Sequence, residues 1–148
     1  MTRAQIAALL VVILAVPAGA GAFFTPKTKP CFVAGNAAYR IADDGAANVT
    51  VRIDNKSPRP TLSLQITDDP AAADFVLVDD DDNSACTGAA ETIWLDNQAV
   101  NPDLIVALSH EPADHKIYVR SARFSAQDAA ALFAVMWRAN HAVVAARN

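Results

Sequence analysis

Hydrophobic and polar residues alternate in the first half of the chain over residues 49–53 and 62–66, where every second position is apolar. A period of two is typical of half-buried strands. The residues between these two segments, 54–60, read DNKSPRP and are rich in turn formers. The pattern therefore predicts two strands joined as a hairpin.

Three further segments, 75–78, 93–95 and 104–108, are apolar throughout. Continuous apolar runs of this length favour strands with both faces covered, so we expect them at the centre of a sheet. Weaker alternation predicts two more strands at 38–42 and 116–121.

One short pattern occurs twice, as DDGAAN before the strand at 49–53 and as DDPAAAD before the strand at 75–78. In each copy an aspartate can cap a single helical turn, and Pro70 suits the first position of the second turn. The pattern predicts a repeated turn-then-strand device. Two short matches are too few to establish a duplicated domain.

The last part of the chain changes to a helical period. Ser125 and Asp128 form a capping-box-like start, with Phe124 placed before the cap as a staple residue. Apolar residues then recur on one helical face, at Ala129, Leu132, Phe133, Met136 and Trp137. We expect a helix to about His141 that lies on a sheet face, with Met136 and Trp137 in the core.

The first 24 residues combine a basic tip, an apolar run and a patch of small residues. Arg3, Ile6–Val16 and Ala18–Ala22 fit the three regions of a signal peptide. Residues 4–24 are also about as long as the roughly 20 residues that cross a bilayer. The segment therefore predicts an exported protein, either periplasmic after cleavage or anchored to the inner membrane by residues 4–24.

These elements predict a signal peptide or signal anchor at 1–24, a linker at 25–30 and a single α+β domain at 31–148. We expect a mainly antiparallel sheet of five to seven strands with one long C-terminal helix packed on a face, preceded by the N-terminal apolar leader or anchor helix. The roughly 125 residues after the leader suffice for one hydrophobic core.

Cys31 and Cys86 are the two cysteines of the chain. In an exported protein an even pair favours a disulfide over two free thiols. Their spacing is too wide for a redox CxxC motif or for two zinc ligands of one knuckle. The pair therefore predicts a structural disulfide.

The formal net charge is -4, and the acidic residues lie between Asp43 and Asp128. Such a surface argues against nucleic acid as a partner, and we expect membrane contact through the N-terminal segment alone, if it stays uncleaved. A nucleophile elbow, a phosphate-binding loop and a dinucleotide-binding glycine pattern are all missing from the sequence, so we expect neither an enzyme nor a cofactor.

Two loops carry metal-ligand residue types. The first has four consecutive carboxylates, at Asp79, Asp80, Asp81 and Asp82. Calcium takes such ligands, but the EF-hand spacing is missing. The second has His110 and His115 beside two carboxylates, which are zinc-binding types, although Pro112 prevents a regular HExxH helix turn. The simpler interpretation of both is a solvated loop.

Three segments resemble small exported bacterial proteins of unknown function: CFVAG at 31–35, DDPAAADFVLVDD at 68–80 and RFSAQDA at 123–129. The resemblance implies a cell-envelope setting and no activity or catalytic residue. We therefore expect a non-enzymatic envelope protein that binds or scaffolds a protein partner. The alternative is a metal- or small-ligand-binding periplasmic protein that uses the Asp79–Asp82 loop or the His110/His115 loop.

Overall fold

The computed structural model describes residues 31–42, 45–78 and 89–145. These form eight strands, a single 3-10 turn and one long helix. The strands are β1 (Phe32–Ala34), β2 (Ala37–Ala42), β3 (Val49–Ile53), β4 (Leu62–Ile66), β5 (Phe75–Val78), β6 (Glu91–Leu95), β7 (Leu104–Ser109) and β8 (His115–Arg120). The 3-10 turn is Pro70–Ala72 and the helix α1 is Ala126–Ala145.

All eight strands belong to one mixed sheet with the order β1-β2-β6-β3-β7-β4-β8-β5. Only β1 and β2 pair antiparallel, while the six other ladders are parallel. The expected mainly antiparallel sheet of five to seven strands is therefore wrong. The hairpin expected at 54–60 is wrong as well, because β7 lies between β3 and β4. Alternation identifies a strand, but it does not identify the strand beside it.

Each strand is displaced along its own direction relative to its neighbours. In β3, Val49–Val51 pair with β6, whereas Val51–Ile53 pair with β7. In β7, Leu104–Val106 pair with β3 and Val106–Ser109 pair with β4. Each of these strands is thus paired on one side along its first half and on the other side along its second half.

This stagger explains how short connections can join parallel strands. The last residue of β3, Ile53, pairs with Val106, which in turn pairs with the first residue of β4, Leu62. The chain leaves one strand at the level where the next strand begins, so it steps sideways and does not have to run back. Residues 54–61 are enough, although a parallel connection ordinarily needs a dozen residues or more.

Two chain segments interleave to make the sheet. The first segment, residues 31–78, supplies β1 to β5, and the second segment, residues 89–145, supplies β6 to β8 and α1. Along the sheet from β2 to β5, strands of the two segments alternate. The second copy of the predicted turn-then-strand device is present in the first segment. Asp69 caps the 3-10 turn by accepting the N–H of Ala71 at 2.9 Å, with Pro70 in the first turn. The first copy, at Asp43 and Asp44, lies outside the described residues.

Polar side chains complete the ladders where the stagger leaves backbone groups without a strand opposite. Asp103, which directly precedes β7, donates its N–H to the carbonyl of Thr50 at 2.9 Å, and its Oδ2 accepts the N–H of Thr50 at 2.7 Å. The same two-bond bracket joins Asn48 to Thr92, Thr61 to Ile105, and Asp74 to Lys116. In all four brackets the bonded residue is the second of its strand. Each bracket therefore satisfies groups that would otherwise lack a protein partner.

A related arrangement of hydrogen bonds lies at the ends of β3 and β6, each of which is followed by the dipeptide Asp-Asn. Asp54 donates its N–H to Val106 and Asn55 accepts the N–H of Leu108 at 2.7 Å. Asp96 and Asn97 make the corresponding bonds to Val51 and Ile53. The side-chain oxygens of Asn55 and Asn97 take the place of the missing ladder partner.

The helix covers the concave face of the sheet and contacts strands of both segments. Its buried residues are mostly small, at Ala129, Ala130, Ala131, Leu132, Ala134 and Val135. Small side chains let the helix axis lie close to the buried apolar residues of the strands. The capping box is confirmed, since the N–H and the Oγ of Ser125 both donate to Asp128 Oδ2 at 2.8 Å and Ser125 Oγ accepts the N–H of Asp128. The described part of the helix runs to Ala145, one turn beyond the expected end at His141.

The sheet curls into a half-barrel whose two edge strands approach each other. Phe32 on β1 and Phe75 on β5 make an edge-to-face contact with ring centroids 5.7 Å apart. Stagger and closure belong together in curled sheets. The expected central position of 75–78 is wrong because β5 is an edge strand, and its Val76 and Val78 are exposed. An apolar run is buried on both faces only if another element covers the second face.

Within the described residues no helix is both long and apolar enough to span a bilayer. The expected leader or anchor at 1–24 and the linker at 25–30 lie outside those residues.

Candidate functional site

Five rings form a continuous row from the core to the surface, which we call the ring row: Phe75, Phe133, His115, Trp137 and His141. Phe75 is buried, Phe133, His115 and Trp137 are half-buried, and His141 is exposed. Exposure therefore increases along the row. An aromatic surface of graded exposure can contact an apolar or planar group without unfolding the core.

Helical spacing places three members of the ring row on one line of α1. Phe133, Trp137 and His141 are four residues apart, which stacks them along one face. Trp137 and His141 are stacked, with centroids 4.0 Å apart, and His141 Nδ1 lies 2.8 Å from the carbonyl oxygen of Trp137. This contact orients the His141 ring.

His115 joins this helical line to the sheet. It is the first residue of β8, and its ring meets Phe133 and Trp137 edge to face, with centroids 5.5 and 6.3 Å away. Its Nδ1 lies 3.8 Å from Asp74 Oδ2, the same oxygen that accepts the N–H of Lys116 in the strand-entry bracket. One carboxylate thus connects the ring row to the backbone of the sheet.

A second polar group borders α1 on the β2/β6 side. Arg138, next to Trp137 in the helix, approaches Glu91 Oε1 at 3.9 Å. Glu91 pairs in register with Tyr39 of β2. Burial, and secondarily the charge of Glu91, raise the pKa of Tyr39 above its ordinary value.

The predicted metal loops contribute one residue to this region. His115 lies in the ring row, whereas His110 is exposed in the β7–β8 turn and its carbonyl oxygen accepts the Gln65 side chain at 3.3 Å. Asp79, Asp80, Asp81 and Asp82 lie outside the described residues. Within the described residues no three His, Cys, Asp or Glu side chains form a group that could hold a metal ion.

Cys31 is buried at the start of β1, and no cysteine of the described residues is free. Cys86 lies outside the described residues, so its pairing with Cys31 stays a prediction.

Trp137 and His141 form the exposed end of the ring row, although the sequence predicts only core packing for Trp137 and a helix end for His141. The four-residue steps from Phe133 to Trp137 and from Trp137 to His141 were visible in the sequence. The contribution of His115 and Phe75 was not, because it depends on how β8 and β5 lie beneath the helix.

Comparison with known proteins gave no matching family model, curated protein or solved structure.

Proposed function

We propose that this protein is a non-catalytic binding domain of the cell envelope and that the ring row is its recognition surface. The observation that carries the proposal is the stack of Trp137 and His141 at the exposed end of the row, backed by Phe133 and His115. Aromatic side chains supply a large, rigid contact area at a small cost in conformational entropy, which suits them to recognition.

The use of the polar side chains supports the same assignment. Asp74, Asp103, Asn48 and Thr61 hold backbone groups of neighbouring strands, and Asp128 holds the start of α1. These oxygens are committed to the architecture of the sheet and helix. The partner we propose is an envelope protein that contacts the half-exposed rings of the row.

Site-specific photo-crosslinking in native envelopes tests this function. A photoreactive residue at position 141 should give a discrete adduct that is lost when Trp137→Ala is also present. The matched control is position 100, since Val100 is 85% exposed in the β6–β7 connection. The helix N-terminus lies beside that connection, through Gln127 and Asn97. At a rise of about 1.5 Å per residue, residues 127 and 141 are about 21 Å apart.

A specific adduct from position 141 and none from position 100 supports the proposal. Equal labelling from both positions, or no adduct from position 141 in envelopes, contradicts it. Thermal melting of each variant confirms that lost crosslinking does not reflect unfolding. Trp94→Ala serves as a second control because it removes a half-buried aromatic ring outside the row.

One observation favours the alternative of a metal- or small-ligand-binding protein. A carboxylate that faces an imidazole, as Asp74 Oδ2 faces His115 Nδ1, is the usual outer partner of a metal-binding histidine. On this alternative, purified protein contains stoichiometric zinc that His115→Ala abolishes. The calcium version, at Asp79–Asp82, predicts a calcium-dependent rise in melting temperature that is lost in the double variant Asp80→Ala, Asp81→Ala. Less than one equivalent of zinc and no response to calcium rule out both.

A further inference from the structure

Almost no ladder joins two strands of the same segment. All six parallel ladders join a strand of the first segment (31–78) to a strand of the second segment (89–145). Within the first segment the one ladder is the three-residue pairing of β1 with β2. Within the second segment no two of its strands are neighbours in the sheet. Neither segment can therefore form a sheet without the other.

The hydrophobic core is also built from both segments. Val51 and Leu64 of the first segment and Ile93, Ile117 and Leu132 of the second are at most 1% exposed and belong to one cluster. Helix α1, which belongs to the second segment, also contacts β3 and β4 of the first. The surface between the segments is the core of the domain, so it is large, apolar and specific in register.

None of these contacts requires both segments to come from one molecule. The two segments are joined by residues 79–90 between the end of β5 and the start of β6. A first segment from another copy would present the same strand edges, the same side-chain brackets and the same core residues. Exchange of an identical element between copies is a low-cost route to a dimer.

We propose that two copies of this chain can exchange their first segments, so that each folded unit contains residues 31–78 of one copy and residues 89–145 of the other. The partner that fits this surface is a second copy of the chain. The covalent link favours the one-chain form at low concentration because it makes closure intramolecular. Exchange is expected when chains refold together at high concentration. The proposal stands independently of the function assigned to the ring row.

Complementation between two inactive chains tests the exchange. Val51→Asp places a charge at a fully buried site of the first segment, and Ile117→Asp does so in the second. Each variant alone should be unfolded, because a buried unpaired charge is not tolerated in a packed core. Unfolded together and refolded as a mixture, they can build one sound domain from the intact second segment of one chain and the intact first segment of the other.

The expected product is a two-chain species in size-exclusion chromatography with light scattering. Its far-ultraviolet circular dichroism per chain should be about half that of the wild type, and it should melt cooperatively. The matched control is Val51→Asp mixed with Leu64→Asp, since both changes lie in the first segment and no sound first segment is present. If the Val51→Asp and Ile117→Asp mixture shows no more native signal than this control, the exchange is refuted.

A test without variants uses the wild-type chain refolded at increasing concentration. A dimer that keeps the circular dichroism per chain of the monomer, and that forms on refolding but not when folded monomer is concentrated, supports exchange. A chain that stays monomeric up to its solubility limit contradicts it.

Discussion

Replacement of Asp103 by alanine tests the role of the side-chain brackets in the staggered sheet. Asp103 Oδ2 accepts the N–H of Thr50 at 2.7 Å where β3 extends past the start of β7. Alanine keeps the backbone bond from residue 103 to the carbonyl of Thr50 but removes the acceptor of the Thr50 N–H. The variant therefore isolates the side-chain half of one bracket.

The expected loss of stability follows from the type of bond. A hydrogen bond to a charged group contributes about 1.5–3 kcal/mol when it is lost from a protected site. The Thr50 to Asp103 bond is open to solvent, and water recovers part of that loss. We expect the free energy of unfolding to fall by about 1–2 kcal/mol. For a domain of this size the melting temperature should drop by roughly 3–8 °C.

Urea unfolding followed by circular dichroism measures the change directly. Asp103→Asn keeps an acceptor in place and should recover most of the stability. Asp114→Ala removes an exposed carboxylate from a turn and controls for the change in net charge. Ordinary surface substitutions change the free energy of unfolding by up to about 0.5 kcal/mol. If the free energies of unfolding of Asp103→Ala and Asp114→Ala differ by no more than that, water replaces the side-chain bond and our explanation of the brackets is refuted.

Three further predictions concern other parts of the fold. The proposed bond between Cys31 and Cys86 closes a loop of about 55 residues and should stabilise the domain by about 4 kcal/mol, so two freely labelled thiols in non-reduced, unfolded protein would contradict it. Ser125→Ala should lower the free energy of unfolding in urea by about 1 kcal/mol, because the N–H of Asp128 loses its acceptor, the Ser125 hydroxyl. Ser125→Thr should keep most of that stability, and an equal loss in both variants would argue against the cap. The raised pKa of Tyr39 implies stability that is fully present below the ordinary tyrosine pKa of 10.0 and is lost as the pH rises through the folded-state value. Glu91→Gln should bring the pKa of Tyr39 closer to 10.0, as measured by tyrosinate absorbance in a protein whose other tyrosine is replaced by Phe. An unchanged titration would exclude the charge of Glu91 as a cause.

Local signals in the sequence predicted most of the secondary structure. The alternation at 49–53 and 62–66 gave strands with the same bounds as β3 and β4, and the capping box at Ser125 marked the start of α1. Such signals are reliable because period and capping depend on residues a few positions apart. The three-residue β1 was missed, because its pairing with β2 and the contact of Phe32 with Phe75, and not a long periodic pattern, hold it in place.

The ring row was predictable in part for the same reason. Helical spacing brings Phe133, Trp137 and His141 to one line whatever lies beneath the helix. Whether that line is buried depends on the sheet, and Trp137, expected in the core, is half-buried and packs against the core. His115 was singled out as a candidate metal ligand from its neighbours in sequence, but its nearest rings come from α1.

Patterns within a few consecutive residues encode where β2 to β8 and the helix form, where the helix begins and which strand positions are apolar. The tertiary structure alone decided the order and direction of the strands. A connection such as 54–61 suits a hairpin as well as a sideways step between staggered parallel strands. The choice between them rests on brackets such as Asp103 with Thr50, whose members are far apart in the chain and meet only when both segments have interleaved.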